Sequence, residues 1–504
     1  MKAIMLLGTL SRSGKSLLVT ALSRILVRQG WRVGPFKAQT CGVSTYFTSS
    51  GGEIGYAQAV QAWAAQTLPR VDMNPIVLKL QDAAIARVVF AGKTAIGEIN
   101  LSDYYPQHHE AAWRVIQDAL HRLKDEFDVL VCEGEGTPSE LPIKPYDVSN
   151  FRVAQALDAA VFLVVDLERD GAFAQVLGTL ETLEPDERSR VAGLILNKAH
   201  GSRSLLQSTI QHLVERTGIP VVGTIPYLDQ TFPAIESLSL IDHRTHDSGR
   251  DVNISIIKLP RISNLTDFDP LRSEASVALR YVGLKETLGY PDAVIIPGSK
   301  STIADLLTLQ RTGMAEQLQN YAAAGGTVLG ICGGFQMMGK LLADPEGIEG
   351  QEGRFKGLGL IPLKTVITSQ KTARQRSVTS NYPQAGLPVV GYEFCQGRSH
   401  ALDKDVNETD ESPFTALFDD RNLGVVDNAQ LLWGTHLHGL FDNGPWRRTW
   451  LNRLRQQRGL SSLPTGISNY REQREMLLDA IADVGEAYLD LGAILASLGD
   501  ASPA

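Results

Sequence analysis

The chain has 504 residues, 43% hydrophobic and 21% charged, which is too many for one ordinary core and fits a globular protein of two or three domains. A net charge of -8 excludes a general affinity for nucleic acid or anionic membrane. The four cysteines (Cys41, Cys132, Cys332, Cys395) show no paired spacing, and no stretch reaches the roughly 18 apolar residues of a membrane span. A disulfide framework and a membrane helix are therefore not expected, and a cytoplasmic protein is.

In chain order, "KAIMLLG" reads as a strand, "KSLLVTALSRILVRQG" as a helix with apolar residues three and four apart, and "RVGPFK" as the next strand. "FDVLVCEG", "AAVFLVVD", "VAGLILNK" and "PVVGTIPY" follow, each a buried-type strand with a polar or glycine-rich tip. Continuous apolar strands separated by helices predict a parallel sheet covered on both faces, with ligands beyond the carboxyl ends of its strands. The irregular, polar stretch 227–250 reads as a linker. A second α/β series then runs through "NISIIKLP", "AVIIPGSK", "GTVLGICGG", "LPVVGYEF" and "QLLWGTHLHG". The expected organisation is two doubly wound α/β domains, 1–226 and 251–450, followed by a helical segment, 451–504.

Chemistry is expected first at "GTLSRSGKS", Gly8 to Ser16, between a strand and a helix. Five residues separate its glycines, where the usual Walker A pattern has four. Backbone N–H groups at a helix N-terminus cradle phosphate, so Thr9, Ser13 and Gly14 are candidate ATP contacts. Lys15 would reach the terminal phosphates, and the Ser16 hydroxyl would meet a magnesium ion. Glu133, at the end of "VLVCEG", is the candidate metal carboxylate. Asn197, ending "AGLILNK", stands where a purine base would be read.

The long loop with the later "EGEG" and "NK" resembles the dethiobiotin-synthetase-like branch of P-loop proteins. Members of that branch commonly phosphorylate a carboxylate to an acyl phosphate that an amine attacks. Further stretches resemble the cobyric acid synthase family, glutamine-dependent amidases of corrinoid side chains: "GGEIGYAQAVQAWAA", "VDMNPIVLK", "LGTLETLEPDERSRVAGLILNK", "LPRISNLTDFDPL" and "IPGSKSTIADL". The similarity covers nearly the whole length. It implies ATP with Mg²⁺, glutamine as nitrogen donor, a corrinoid substrate, and Gln39, Glu53, Asp147 and Asn150 on the substrate side.

In "GTVLGICGGFQMMG", Cys332 ends an apolar strand and precedes two glycines and a helical pattern. This is the pattern of a nucleophile elbow, in which a helix N-terminus and a nearby imidazole favour thiolate. Backbone N–H groups of Gly333 and of Gly298 in "PGSK" are candidate oxyanion donors. "WGTHLHGLFDN" offers two histidines; the resemblance selects His438 as the base and leaves His436 a packing role. Class I amidotransferases usually place a Glu two residues after the base, where this chain has Leu440, so a Cys–His dyad is expected. Ammonia would then need an enclosed path to the ATP site.

The chain departs from the family's pattern mainly on the substrate side. "KAQTCG" brings Thr40 and Cys41, "LQDAAIAR" follows the "VLK" strand, and "EGEGTPSE" sets Glu135 beside Glu133. "ERDGAF", "NKAHG" and Cys395 also depart. A bare carboxylate at Glu135 would repel an acyl phosphate by about a few kcal/mol at ~4 Å and an effective dielectric near ~20. These departures keep two alternatives open: an amidoligase for another carboxylate such as cobyrinic acid, and a non-catalytic copy that binds nucleotide or corrinoid.

Overall fold

A computed structural model describes residues 2–42, 45–48, 52–80, 84–200, 203–227, 250–350, 352–401 and 414–499. Most of the stretch read as a linker, 228–249, lies outside the described residues. The chain divides into two compact units, one formed by Met1–Ser239 with Arg474–Ala504 and the other by Leu240–Gln473.

The first unit is built on a six-stranded parallel sheet. Its order is Val221–Pro226, Val191–Ala199, Ala160–Asp166, Lys2–Gly8, Val129–Glu133 and Val33–Phe36. The strands are apolar throughout because both faces are covered. Ile4 and Leu6 pack with Leu18, Val19 and Leu22 of the helix Lys15–Arg28, while Met5 and Leu7 join the core that holds Ile116 and Leu120 of the helix Leu101–Lys124. In this register Leu6 pairs with Glu133, Gly8 with Val164, and Asp166 with Asn197. The expected functional tips therefore share one edge of the sheet.

A smaller sheet, Gln39–Gly42, Ile76–Leu80, Ile85–Phe90 and Lys93–Asn100, stands beside it. The helix Tyr470–Tyr488 closes the unit, with Leu478 and Ile481 packed among Ala21, Tyr56, Val60 and Ala64. Arg24, almost wholly buried, is anchored there by Glu475 at 2.6 Å and Asp479 at 2.9 Å.

The second unit has a seven-stranded sheet. Val277–Gly283, Val252–Lys258, Ala293–Ile296, Thr327–Ile331 and Leu432–Thr435 are parallel, and Gly424–Asp427 and Phe414–Ala416 continue it antiparallel. The strand read in "LPVVGYEF" does not join this parallel series. It lies in Pro388–Ala401, paired antiparallel with Leu363–Thr379 in a separate five-stranded sheet. Its burial explains the placement: Val389, Gly391, Glu393 and Cys395 are buried, while Val390, Tyr392 and Phe394 face outward. One-sided alternation suits an antiparallel sheet rather than a doubly covered parallel one.

The core around Trp433, Trp446 and Trp450 also contains a charge. Fully buried Arg447 donates through Nε to Glu274 Oε1 at 2.8 Å, and Arg448 reaches Glu274 Oε2 at 2.6 Å. Removing one partner of such a pair strands the other charge away from water. Glu274→Ala is expected to lower the stability of this unit by about 3–5 kcal/mol in a denaturant titration, whereas cutting the exposed Arg280–Glu286 pair is expected to change it by less than about 1 kcal/mol.

Candidate functional site

The phosphate loop forms as expected between the first strand and the first helix. Gly14 is left-handed at φ 95°, and an added Cβ would overlap Asn197 Nδ2. Asn197 donates that Nδ2 to the Ser13 carbonyl at 2.8 Å, so it braces the loop itself. A Cβ on Gly8 would lie 2.5 Å from Ser13 Oγ and 2.9 Å from Lys15 Nζ, which marks a tight cradle. Thr9 Oγ1 and Ser13 Oγ are buried in it without a hydrogen-bond partner. Buried orphan hydroxyls are costly, and phosphate oxygens would satisfy them. Lys15 is nearly sealed and donates to the Gly136 carbonyl at 2.9 Å. Burial pulls its ammonium below the ordinary lysine value, against the pull of Glu133, so an arriving anion would be welcomed.

Glu133 is almost completely buried. Its Oε1 accepts from Ser16 Oγ at 2.8 Å and Lys37 Nζ at 2.8 Å, and its Oε2 accepts from Gln61 Nε2 at 2.6 Å. Burial opposes its charge, but Lys37, Lys15 and Ser16 outweigh that and hold the carboxyl below the usual carboxylate range. Ser16 and Glu133 are thus adjacent oxygen donors, a fit for Mg²⁺ that keeps several waters and binds one or two protein oxygens. Among the described residues there is no group of three or more His, Cys, Asp or Glu that could hold a metal ion.

Lys37 was not singled out in the sequence, although a lysine closing the apolar run "RVGPF" was a signal. It also corrects the expectation for Glu135. Glu135 Oε2 lies 2.8 Å from Lys37 Nζ, an ion contact rather than an aligned hydrogen bond. Burial opposes the charge on Lys37, and the two carboxylates hold its ammonium above the ordinary value. The charge of Glu135 is therefore compensated, and the expected repulsion of an acyl phosphate is reduced.

The candidate substrate-side residues are only partly drawn together. Asn150 Nδ2 donates to the Glu135 carbonyl at 3.0 Å, its Oδ1 is buried without a partner, and Asp147 accepts from the backbone N–H groups of Ser149 and Asn150 at 2.8 and 3.2 Å. Burial pushes the Asp147 carboxyl up. Gln39 lies on the smaller sheet and accepts from the Tyr104 hydroxyl at 3.0 Å. Glu53 pairs with Lys79 and accepts from Thr45 at 2.5 Å, in hydrogen bonds separate from those that hold Glu133.

In the second unit Cys332 caps the short helix Gly333–Met338 at φ 49°, ψ -107°, a strained conformation for a side-chain-bearing residue. Its backbone N–H donates to the Thr435 carbonyl at 2.7 Å and its thiol to the Phe394 carbonyl at 3.1 Å. Gly334 makes the turn possible, since a Cβ there would overlap the Ile296 carbonyl. Gly298 and Gly333 converge on the same place. A Cβ on Gly298 would lie 3.4 Å from His438 Cε1, and one on Gly333 2.9 Å from Ser299 N.

His438 stands close enough to Cys332 for the two to interact electrostatically, and its Nδ1 lies 2.7 Å from Asp267 Oδ2. Asp267 Oδ1 also accepts from the Gly439 N–H at 2.9 Å, and Tyr392 stacks on the imidazole at 5.2 Å. Asp267 therefore joins the expected Cys332–His438 dyad as a candidate third member. The third member comes from "NLTDFDP", 171 positions earlier, rather than from position 440. Burial lowers the His438 pKa, but Asp267 and the Cys332 contact raise it to about 10. His436 is a packing histidine: buried, edge-on to Phe335, bonded to Ser399 Oγ at 3.0 Å, and lowered to about 4 chiefly by burial. Cys395, also buried, is pushed up to about 12 by burial first and then by Cys332 and Glu393.

A phosphate loop at the head of a parallel sheet and a cysteine elbow with its imidazole and carboxylate define a class: a glutamine amidotransferase domain fused to a P-loop domain, a glutamine-hydrolysing ligase. Family models agree, with an AAA domain over residues 2–234 and a CobB/CobQ-like glutamine amidotransferase domain over residues 253–446. The chain is 59% identical to the cobyric acid synthase of Trichormus variabilis over 97% of this chain and 99% of that protein. It is 59% identical to that of Nostoc punctiforme over 97% and 99%, and 53% identical to that of Synechococcus elongatus over 99% and 100%. The chain belongs to the cobyric acid synthase family. Among solved structures, a glutamine amidotransferase is 15% identical, with a TM-score of 0.30 over 40% of this chain and 98% of that chain. No helix among the described residues is long and apolar enough to cross a membrane.

Asp267→Asn is expected to lower glutaminase kcat by about a thousandfold or more, because the imidazole loses its orienting carboxylate. The same variant tests the electrostatics. His438 has a folded pKa near 10, above its ordinary 6.5, so the stability from this pair is complete below pH 6.5 and is lost as pH rises towards 10. Denaturant titrations from pH 6 to 10 are expected to show that loss in the parent and a flatter profile in Asp267→Asn. Gly14→Ala, strained and overlapping Asn197, is expected to weaken binding of a fluorescent ATP analogue at least about tenfold and to leave glutaminase activity in place.

Proposed function

We propose that the protein amidates peripheral carboxylates of adenosylcobyrinic acid a,c-diamide to give cobyric acid, using ATP and glutamine. The observation that carries this reading is the coexistence, in a chain 59% identical to a cobyric acid synthase over 97% of its length, of a phosphate cradle with orphan hydroxyls and a strained cysteine elbow at Cys332 with an Asp267-bound His438.

At the triad, the Cys332 thiolate attacks the glutamine amide carbon. The oxyanion is received by the N–H groups of Gly298 and Gly333 at the elbow. Protonated His438, held by Asp267, gives its proton to the departing ammonia, and water then releases glutamate from the thioester. In the first unit a substrate carboxylate oxygen attacks the γ-phosphorus of ATP, and the bond to ADP breaks. The acyl phosphate then loses phosphate to ammonia and becomes the amide. Lys15 and the backbone of the loop hold the phosphates in line. Ser16 and Glu133 would hold Mg²⁺, which neutralises phosphate charge when bound. Asp147 and Asn150, adjoining the segment that follows Glu133, are the candidates for orienting the acceptor, and Gln39 and Glu53 are further candidates.

The departures that left a non-catalytic copy open do not remove any of these groups, and Lys37 offsets Glu135. Cys332→Ala is expected to abolish glutamine-dependent amidation of the corrinoid while ammonium salts still support ATP-dependent amidation, read by mass spectrometry of the product. Absence of both activities in the parent protein would contradict the proposal. Amidation of cobyrinic acid in preference to its a,c-diamide would assign the protein to the other carboxylate.

A further inference from the structure

One buried array plays no part in the chemistry above. The helix Tyr56–Ala64 carries Gln58 and Gln61 three residues apart, hence on one face, and neither side chain has any solvent exposure. Gln61 Nε2 donates to Glu133 Oε2 at 2.6 Å, and Gln58 Nε2 donates to Gln61 Oε1 at 2.9 Å. Thr40 Oγ1 donates to Gln58 Oε1 at 3.3 Å, the longest link. An ionised carboxylate only accepts, so Gln61 must turn its amide nitrogen to Glu133 and its oxygen to Gln58. Gln58 must then do the same, and Thr40 must be the donor. One charge thus fixes the polarity of the whole chain.

Two amides buried in a helix add little net stability over apolar residues of the same shape. Their ordering fixes something else. Lys37 and Ser16 both take Oε1 of Glu133, and Gln61 alone takes Oε2 among the described residues. Without Gln61 the carboxylate could rotate about its last bond towards Lys37 and withdraw Oε1 from Ser16. With it, the plane of the carboxylate is pinned at both oxygens.

We infer that Gln61, backed by Gln58 and Thr40, is a positioning residue that fixes the Glu133 carboxylate for Mg²⁺ beside Ser16, and that it ties this carboxylate to the strand Gln39–Gly42. The inference rests on the proposed ATP and Mg²⁺ use. Because the Thr40 proton is committed to Gln58, the Thr40 oxygen presents an acceptor to whatever faces it. The strand that carries Gln39 is therefore linked to the metal carboxylate by three hydrogen bonds.

The test titrates Mg²⁺ against binding of a fluorescent ATP analogue to the full chain, with no corrinoid present. Residues that orient metal ligands typically change metal affinity about 10–100-fold when removed. Gln61→Leu is expected to raise the half-saturating Mg²⁺ at least about tenfold, and Gln58→Leu by about threefold, since Gln61 then has lost only its own support. Thr40→Ser is expected to match the parent, and Thr40→Val to move with Gln58→Leu. Glutaminase activity, which needs only residues of the second unit, is expected to persist in every variant, and the first unit's folding is read separately by circular dichroism and its own denaturant transition. Parent-like Mg²⁺ dependence in Gln61→Leu overturns the inference. If Gln61→Leu does not fold, parent-like dependence in Gln58→Leu overturns it instead. A parent protein that binds no nucleotide at any Mg²⁺ concentration overturns the ATP reading itself, a separate result.

Discussion

The first unit depends on a carboxylate placed where water cannot reach it. Glu133 ends a buried strand of the parallel sheet, flanked on both sides by other strands, and a charge there is tolerable only if its oxygens are met by cations and donors. Lys37 supplies the cation, Ser16 and Gln61 the donors, and Lys15 stands close enough to add to the field. That arrangement accounts for the local sequence on four separate segments: the loop, the end of the second strand, the helix at 56–64 and the strand at 129–133. It also explains why Glu135 is tolerated, because Lys37 faces both carboxylates.

The second unit solves a different problem with the same element of architecture. A thiol that must meet substrate is lifted from the end of a parallel strand by a strained turn, and the strain is held by Gly334 packed against the Ile296 carbonyl and by the bond from Cys332 N–H to Thr435. His438 belongs to a two-residue strand paired with Tyr392 and Glu393, so the antiparallel sheet fixes the base while the parallel sheet fixes the nucleophile. Asp267 comes from a third place, a short 3₁₀ turn at Leu265–Phe268.

What could be read in the sequence follows from how local each signal is. The phosphate loop and the elbow are contiguous motifs whose glycines have no alternative role, and both stand where the strand–turn–helix pattern puts them. Asp267 was hidden because its partner is 171 positions away and an Asp in "NLTDFDP" reads equally well as a helix cap. Lys37 was hidden at the end of an apolar run, where a lysine is ordinarily solvated. Gln58 and Gln61 lie in a stretch whose sequence signal is a family resemblance alone, although polar residues inside an otherwise apolar helix are a physical anomaly in their own right. The strand at 388–401 was legible as a strand but not as antiparallel, since the alternation of buried and exposed residues emerges only once its neighbours are known. Nothing in the composition of "REQREMLLDAIADVGEAY" announces that it packs on the first unit rather than the second.

The central claim is that the pocket around Lys15 and Glu133 activates a carboxylate by phosphorylation. The direct measurement follows oxygen. With corrinoid substrate whose carboxylates carry heavy oxygen, and with ATP and glutamine present, one labelled oxygen is expected in the inorganic phosphate for each amide formed. Unlabelled phosphate alongside full amidation would contradict an acyl phosphate and with it the role given to this pocket.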